Sequence, residues 1–409
     1  MSRDLVLDAL PEHLRRPHIR VFQPLAVMHN EQQVVVLRDP MALVPQAMAV
    51  PPQVVGLIQQ FQGERTLGEF AAALNASDPQ PLVELVRRLD EIGLLWGPTF
   101  ERLEADLRDR LATAGAFPVG QQEGTDHPGA DAVRAAIDEW LSQSDDPELE
   151  APAIGIVAPH LDYPRGWPNY AAAYRCFDGA DAPDRVVVLG TNHFGLGDGV
   201  VMTEWGFDTP LGRAPTDPRV IERLRSRLGE GLFKDQLDHH AEHSIKLQLP
   251  WIQHRFGDVP VVAALVPDPL VPMIADDGRR IAVEPFVEAL DEALQATGGR
   301  TFFVASADLS HVGPQFGEPR AVDANRKVDV ERHDRDLMGR FMTADATSFL
   351  DRMRETHNPT RWCSIGNMYA TLQLARPAGV ELIDYRQACD DQGACLVTSA
   401  AMALLGEER

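Results

Sequence analysis

Four short runs of apolar residues constrain the fold of this chain more than any other feature. They cover residues 153–157, 185–189, 261–266 and 301–305. Runs of this length suit strands that are buried on both faces of a sheet. Helical patterns accompany them at residues 132–141, 217–228, 244–256 and 283–296. We expect Pro250 to kink the third helix. The alternation predicts an α/β fold with a mixed sheet.

The first quarter of the chain follows a different pattern. A β-rich run at residues 33–37 precedes three short helical patterns, and the last of these reaches Gly93, a natural helix stop. Five apolar residues of that last pattern share one helical face: Leu82, Leu85, Val86, Leu89 and Ile92. We predict three segments: a small winged-helix-type domain over 1–105, a linker over 106–112 and an α/β domain over 113–409.

Composition limits the classes of partner. The 409 residues carry a formal net charge of −23, which argues against nucleic acid or an anionic membrane as a partner. No apolar run approaches the roughly 18 residues of a membrane span, and the start has no signal-peptide pattern. The four cysteines form neither a disulfide framework nor a CxxC zinc pattern. We therefore expect a cytoplasmic protein.

Histidine motifs stand beside these strands and helices. His160, His193 and His311 follow three of the apolar runs, whereas His243 opens the helical pattern that begins at residue 244. Ligands of open α/β sheets bind outside the carboxyl ends of the strands. A single histidine is more often a hydrogen-bonded core or surface residue. Four with this placement predict a shared site.

Metal chemistry explains these residue types. Neutral imidazole binds iron, zinc and copper well, and a thiolate adds preference for softer ions. We predict that His160 and His193 supply the neutral pair and that Cys363 supplies an anionic third ligand. Iron, copper and zinc are the candidate metals. Two histidines with one anion leave positions open for substrate, water or O₂.

Four further side chains are predicted to act around the metal. His243 and His311 are candidate acid–base groups, because unperturbed imidazole titrates near neutral pH. Glu242 and Asp308 lie one and three residues before them, respectively, and are candidates to orient them.

Six ordered blocks resemble the Memo family, the B component of the AmmeMemoRadiSam set. They are APHLDYPRGWPNYAAAY, VVVLGTNHFG, DTPLGRAPTD, EHSIKLQLPW, VASADLSHVGPQFG and CSIGNMYATL. The resemblance covers roughly residues 113–409. It implies an α/β core similar to class III non-haem iron extradiol dioxygenases. It also implies a metal at His160, His193 and Cys363, with His243 beside them, and favours iron(II) over copper and zinc.

The chain departs from the family pattern in three places. Asp162 stands in a block that usually reads PHAGY, Phe194 follows His193 where a second histidine is common, and Ala307 replaces the second serine of a pair. Asp162 therefore adds a carboxylate beside the first predicted ligand. Residues 1–105 contain RPHIRVFQPL, VVVLRDP and RTLGEF. With these segments they resemble PqqD-like winged-helix domains, which are peptide-recognition modules.

Three functions follow as hypotheses. The first is metal-dependent redox or dioxygenase-like chemistry on a small molecule or peptide. The second is an adaptor without turnover, which would work with radical-SAM and AMMECR-type partner proteins. The third is a metal-assisted hydrolase, although no GxSxG-type nucleophile motif supports it.

Overall fold

The chain forms two compact units, Met1–Ala114 and Gly115–Arg409. The computed structural model describes residue 7 and residues 9–29, 32–119, 129–193, 199–271 and 280–407. The predicted linker over 106–112 lies inside a helix that runs from Pro98 to Ala114. Leu107 and Leu111 are buried in that helix, and their spacing of four residues continues its apolar face. The first unit therefore extends to the end of this helix.

The first unit combines a small antiparallel sheet with short helices. Its helices are α1 (Glu12–Arg15), α2 (Pro52–Ile58), α3 (Leu67–Ala73), α4 (Gln80–Glu91) and α5 (Pro98–Ala114). Its strands are β1 (Gln23–His29), β2 (Gln32–Arg38) and β3 (Met48–Val50), paired in that order. Thr66 and Glu69 form a capping box at the start of α3. Gly93 follows α4 with φ of +71°, which confirms the predicted helix stop.

The second unit contains a large mixed sheet and a small three-stranded one. Its strands are β4 (Ala116–Pro118), β5 (Ala153–Ala158), β6 (Arg185–Thr191), β7 (Val201–Met202), β8 (Gly206–Thr209), β9 (Gly212–Ala214), β10 (Val261–Val266), β11 (Thr301–Ser306), β12 (Asp308–Val312), β13 (Gly379–Cys389) and β14 (Leu396–Leu405). The large sheet has the order β12-β14-β5-β11-β6-β10-β7, and β13 pairs with β14. The small sheet has the order β4-β8-β9.

The four apolar runs form the parallel centre of the large sheet. They correspond to β5, β6, β10 and β11, which pair in parallel, while β7 and β14 add antiparallel pairs. The predicted α/β fold with a mixed sheet is thereby confirmed. Because the four central strands point the same way, their carboxyl ends meet at one edge of the sheet.

Helices surround the large sheet. They are α6 (Ala130–Ser142), α7 (Tyr163–Arg175), α8 (Pro218–Leu228), α9 (Asp238–Ala241), α10 (Leu249–Phe256), α11 (Val283–Thr297), α12 (Ala324–Phe341), α13 (Ala346–Thr356) and α14 (Ile365–Ala375). Helix α7 packs against β5, β13 and β14, whereas α14 packs against β6, β10 and β11. Among the helices that the structure describes, none combines the length and the apolar character that a membrane span needs.

One predicted helix is shorter than expected. The pattern at 244–256 predicts a kinked helix, but α10 begins only at Leu249 and Pro250 occupies its first turn. Proline is tolerated there because the first turn needs no N–H donor from it. His243 therefore lies in a loop between α9 and α10 and not at the start of a helix.

Candidate metal centre

Three of the four predicted histidines meet beside the carboxyl ends of the central strands. His160 and His193 each lie two residues beyond a parallel strand, β5 and β6 respectively, and His243 joins them from its loop. One ligating atom of each ring lies within 4.8 Å of those of the other two. The ring centroids are 4.9 Å apart for His160–His193 and for His193–His243, and 5.5 Å apart for His160–His243. Such a group of imidazoles can hold a metal ion.

A glycine in β6 lets the loop of His243 approach the sheet. A Cβ atom at Gly190 would lie 2.5 Å from Ser244 Oγ and 2.8 Å from the Cδ1 atom of Ile245. The hydroxyl of Ser244 donates to the carbonyl of Thr191 at 2.9 Å. The loop is thus fixed against the end of β6, close to His193.

His160 is buried, and both its backbone and its ring are oriented. Its N–H and that of Leu161 donate to Asp308 Oδ1 at 3.0 and 3.2 Å. Its Nδ1 lies 3.0 Å from the carbonyl oxygen of Ser306, which can only accept, so Nδ1 carries the proton. The Nε2 atom is therefore left with a lone pair for a metal ion.

Glu242 orients the other two histidines. Its buried carboxylate lies 3.1 Å from His193 Nδ1 and 3.2 Å from His243 Nδ1. It also accepts backbone N–H bonds from His193, His243 and Ser244 at 2.7–2.8 Å. Since both Nδ1 atoms lie beside the carboxylate, the Nε2 atoms are the ring nitrogens that can bind a metal ion. Although burial opposes it, Glu242 raises the pKa of His193, so metal binding there displaces a proton.

Cys363 reaches the same group from the loop before α14. Its Sγ lies 3.4 Å from His160 Nε2, 3.2 Å from Ser364 Oγ and 3.7 Å from the carbonyl oxygen of Asp308. A Cβ atom at Gly366 would overlap the carbonyl oxygen of Pro267, so glycine is required for this approach of α14 to the end of β10. The predicted thiol is therefore within reach of the histidine group.

His311 lies apart from the three grouped histidines. It belongs to β12, its Nδ1 is 3.1 Å from the carbonyl oxygen of Leu309, and its ring packs edge-on against Phe316 at 5.2 Å. Burial lowers the pKa of His311 to about 4. The ring is thus neutral at pH 7, and it is not part of the three-histidine group.

The two carboxylates of the centre have opposite pKa directions. Burial raises the pKa of Asp308 to about 7, although the backbone N–H of His160 partly opposes this. Burial would also raise the pKa of Glu242, but His193 and the N–H bonds around it lower that pKa well below its usual range. Burial would lower the pKa of His193, yet Glu242 raises it overall, while burial lowers the pKa of His243 to about 4.

Asp162 has a structural use at the start of α7. Its side chain accepts from the backbone N–H of Arg165 as the helix N-cap and forms an ion pair with the Arg165 guanidinium. Its carboxylate is thereby engaged with that helix. Phe194, the second departure from the family pattern, lies outside the described residues.

Sequence reasoning missed a buried amide network that joins the segments of the centre. Gln248 donates to the carbonyl of Pro159 at 2.6 Å and to Ser306 Oγ at 2.8 Å. Asn367 donates to the carbonyl of Ser306, the group that orients His160, at 2.6 Å. The one available signal was Gln248, a polar residue within an apolar pattern that turns out to be fully buried.

Among the described residues, the group that could hold a metal ion consists of the three histidines, and Cys363 lies beside it. Bonds of 2.0–2.1 Å to nitrogen and about 2.3 Å to sulfur put neighbouring donors of a tetrahedral site about 3.5 Å apart. The separation of 3.4 Å between Cys363 Sγ and His160 Nε2 matches this value. Imidazole donors suit zinc, copper and iron better than magnesium or calcium, which prefer oxygen.

Comparisons with known proteins point to one family. The family model described as Memo-like protein matches residues 127–403. A MEMO1 family protein of Pyrobaculum aerophilum is 34% identical over 169 residues, which cover 41% of this chain and 57% of that protein. One of Desulfurococcus amylolyticus is 31% identical over 257 residues, covering 62% of this chain and 81% of that protein.

A third relative extends the similarity along the chain. A MEMO1 family protein of Aquifex aeolicus is 23% identical over 367 residues, covering 86% of this chain and 90% of that protein. This match is longer than the second unit, so it includes part of the first. By contrast, the chain spans only 57% of the length of the Pyrobaculum aerophilum relative. The family model covers well over half of the chain, and the chain belongs to the Memo family.

Proposed function

We propose that this protein binds a divalent transition metal ion and uses it for redox or dioxygenase-like chemistry on a small molecule or a peptide. His160, His193 and Cys363 are the proposed ligands, and His243 lies beside them as an additional donor. Iron(II) is the proposed metal, with copper and zinc as alternatives. The dioxygenase-like part of this proposal comes from the resemblance of the chain to class III extradiol dioxygenases.

The orientation of the three imidazoles carries the proposal. Each Nδ1 faces an oxygen: the Ser306 carbonyl for His160 and the Glu242 carboxylate for the other two. Histidine ligands of metal sites typically donate their second ring N–H to such an oxygen, which fixes the ring and its tautomer. Histidines that served packing alone would not need an oxygen beside Nδ1 in all three rings of one group.

The thiol favours redox chemistry over hydrolysis. A bound metal would supply Lewis acidity and, for iron or copper, a change of oxidation state. A thiolate ligand donates more electron density than the carboxylate of a two-histidine–one-carboxylate site, and it favours softer ions. Cys363 therefore separates this centre from that of an ordinary dioxygenase.

Asp308 is the best-placed acid–base group among the four predicted. Its Oδ1 accepts two backbone N–H bonds, and its Oδ2 lies 3.7 Å from His160 Nε2. A pKa near 7 allows a group to take up and return a proton at neutral pH. Glu242 is engaged with backbone and imidazole donors, so we assign it an orienting role.

Metal analysis of anaerobically purified protein tests the proposal. We expect about one metal ion per chain in the wild type and a strong loss in His193→Ala and in Cys363→Ser. His254→Ala and Cys395→Ser are matched controls, because His254 pairs with Asp138 and Cys395 hydrogen-bonds to Arg165. Equal metal content in all five proteins would refute the assigned ligands.

Oxygen uptake then separates turnover from binding. The metal-loaded protein is expected to consume O₂ with a catechol-type or a thiol substrate, and Cys363→Ser is expected to lose this activity. Uptake with neither substrate class, despite bound metal, would favour the adaptor function.

The first unit supports the adaptor as a second candidate. Its strand β1 lies at one end of the order β1-β2-β3, and Leu25 and Met28 on it are 43% and 69% exposed. Exposed apolar side chains on an end strand suit the binding of a peptide or partner protein. We expect Leu25→Asp with Met28→Asp to abolish co-purification with the proposed radical-SAM and AMMECR-type partners and to retain the metal. Unchanged co-purification would contradict this role of β1.

A further inference from the structure

A buried carboxylate outside the histidine group receives four side-chain hydrogen bonds. Asp334 on α12 is fully buried. Its Oδ1 accepts from Ser310 Oγ at 2.5 Å and from Trp362 Nε1 at 2.7 Å. Its Oδ2 accepts from Thr398 Oγ1 at 2.6 Å and from the Tyr385 hydroxyl at 2.8 Å. A single side chain thus ties together β12, β13, β14 and the residue next to Cys363.

The loop that carries Cys363 has an unusual backbone. His357, Asn358 and Arg361 have φ values of +57°, +46° and +59°, a left-handed conformation that side-chain-bearing residues rarely adopt. Such conformations persist only where surrounding contacts hold them. The loop therefore depends on its hydrogen bonds to keep its shape.

Those hydrogen bonds concentrate on Trp362. Asn358 Oδ1 accepts from the backbone N–H of Trp362 at 2.7 Å, and Asn358 Nδ2 donates to its carbonyl at 3.0 Å. The indole is buried, and besides Asp334 it donates to Ser310 Oγ at 3.1 Å. The backbone and the side chain of Trp362 are both fixed, and Cys363 follows directly.

The same network reaches the strand that carries Asp308 and His311. Ser310 lies between them on β12, and its hydroxyl contacts Asp334 as well as Thr360 Oγ1, the latter at 2.7 Å. The backbone N–H of His311 donates to the carbonyl of Thr360 at 2.7 Å. The loop before Cys363 is therefore joined to β12 through both side chain and backbone.

We propose that Asp334 is a positioning residue for Cys363: it anchors the indole of Trp362 and thereby holds the thiol next to His160. The proposal rests on the proposed function in one respect, since it treats the thiolate as a metal ligand. Asp334 itself does not touch the metal centre. It acts through the backbone of the loop, whose conformation would otherwise relax.

A set of three variants isolates this link. Trp362→Phe removes the indole donor to Asp334. Tyr385→Phe removes one hydrogen bond to the same carboxylate from β13, away from the loop. Phe349→Leu removes packing volume beside the indole, since the two rings are 6.4 Å apart, and leaves the hydrogen bond in place.

Cobalt(II) titration reports on the thiolate. In Trp362→Phe we expect loss of the thiolate-to-cobalt charge-transfer band in the near ultraviolet and a roughly tenfold weaker affinity, as for other changes to groups that orient metal ligands. The ligand-field band of the histidine-bound ion should remain. Tyr385→Phe and Phe349→Leu should keep both bands.

Alkylation of Cys363 in the metal-free protein gives a second readout that does not need the metal. Mass spectrometry of iodoacetamide-treated protein should show a several-fold faster reaction of Cys363 in Trp362→Phe and an unchanged rate in the two controls. Equal rates in all variants, or equal acceleration in Tyr385→Phe, would overturn the positioning role. If the wild type lacks the charge-transfer band while the alkylation rates differ as expected, the thiolate ligand of the proposed function fails and the positioning role stands.

Discussion

Glu242 and Asp308 are buried carboxylates that contact different members of one histidine group, yet their surroundings favour opposite charge states. Glu242 accepts three backbone N–H bonds and faces two imidazoles, and its pKa is lowered. Asp308 accepts two N–H bonds through one oxygen, and burial raises its pKa to about 7. Burial acts on both carboxylates, so the adjacent His193, together with the backbone N–H bonds, decides that Glu242 stays charged. We infer that the first is a fixed anion and that the second exchanges a proton.

The strongest test of this difference is Glu242→Gln. The amide NH₂ group would face one or more of the backbone N–H groups that now donate to the carboxylate, so two donors would oppose each other. We expect a loss of about 3–5 kcal/mol in the free energy of unfolding, as when one partner of a buried pair is removed. Metal affinity should fall by roughly 100-fold, because two imidazoles lose their orienting oxygen. Denaturant unfolding and chelator competition measure the two effects.

Glu204→Gln is the matched control, since Glu204 is partly exposed and pairs with Arg225 on the surface. It should change stability by less than about 1 kcal/mol. A Glu242→Gln protein as stable as this control would show that the fixed anion is dispensable.

Asp308→Asn should change the pH dependence of stability in the metal-free protein. A carboxyl group whose folded pKa exceeds its unfolded pKa stabilises the fold fully below the unfolded value, near 4. That contribution declines as the pH rises towards the folded pKa of about 7. Asparagine does not titrate, so the variant should gain stability relative to the wild type between pH 4 and 7. Above pH 7 the difference should level off.

Chemical unfolding at several pH values, with a chelator present, measures this difference. Subtracting wild type from variant cancels the contribution of the histidines, which titrate in both proteins. A difference that is constant from pH 4 to 8 would mean that Asp308 is already ionised throughout, like Glu242.

Local sequence patterns predicted much of the fold. The four apolar runs correspond to β5, β6, β10 and β11. His160 and His193 were predicted to meet because each follows the end of a strand, and they lie in one group. These predictions succeeded because a buried parallel strand is apolar throughout and because parallel strands end at one edge. His311 lies further beyond its strand, within β12, and the same rule did not place it in the group.

Long-range contacts explain what the sequence could not provide. Cys363 comes from a loop 203 residues after His160, and its placement beside the histidines was predicted from donor chemistry and the family resemblance, not from any local pattern. Asp334 has no motif, because its four partners are distant in sequence and become neighbours only in the folded chain. The same applies to the link between Gln248 and Pro159.

Asp162→Ala should change stability and metal binding least of the three carboxylate substitutions. It adds a partly exposed carboxylate to the comparison of Glu242 with Asp308. Asp162 caps α7 and pairs with Arg165, and its side chain is 37% exposed. Loss of an N-cap costs about 1 kcal/mol. Because the charge is engaged with the helix and partly solvated, we expect metal affinity and metal preference to stay within about twofold of the wild type. Competition between iron(II), copper and zinc measures this. A changed metal preference would show that the Asp162 carboxylate influences the metal directly. Its solvent exposure would then not distinguish its role from those of Glu242 and Asp308.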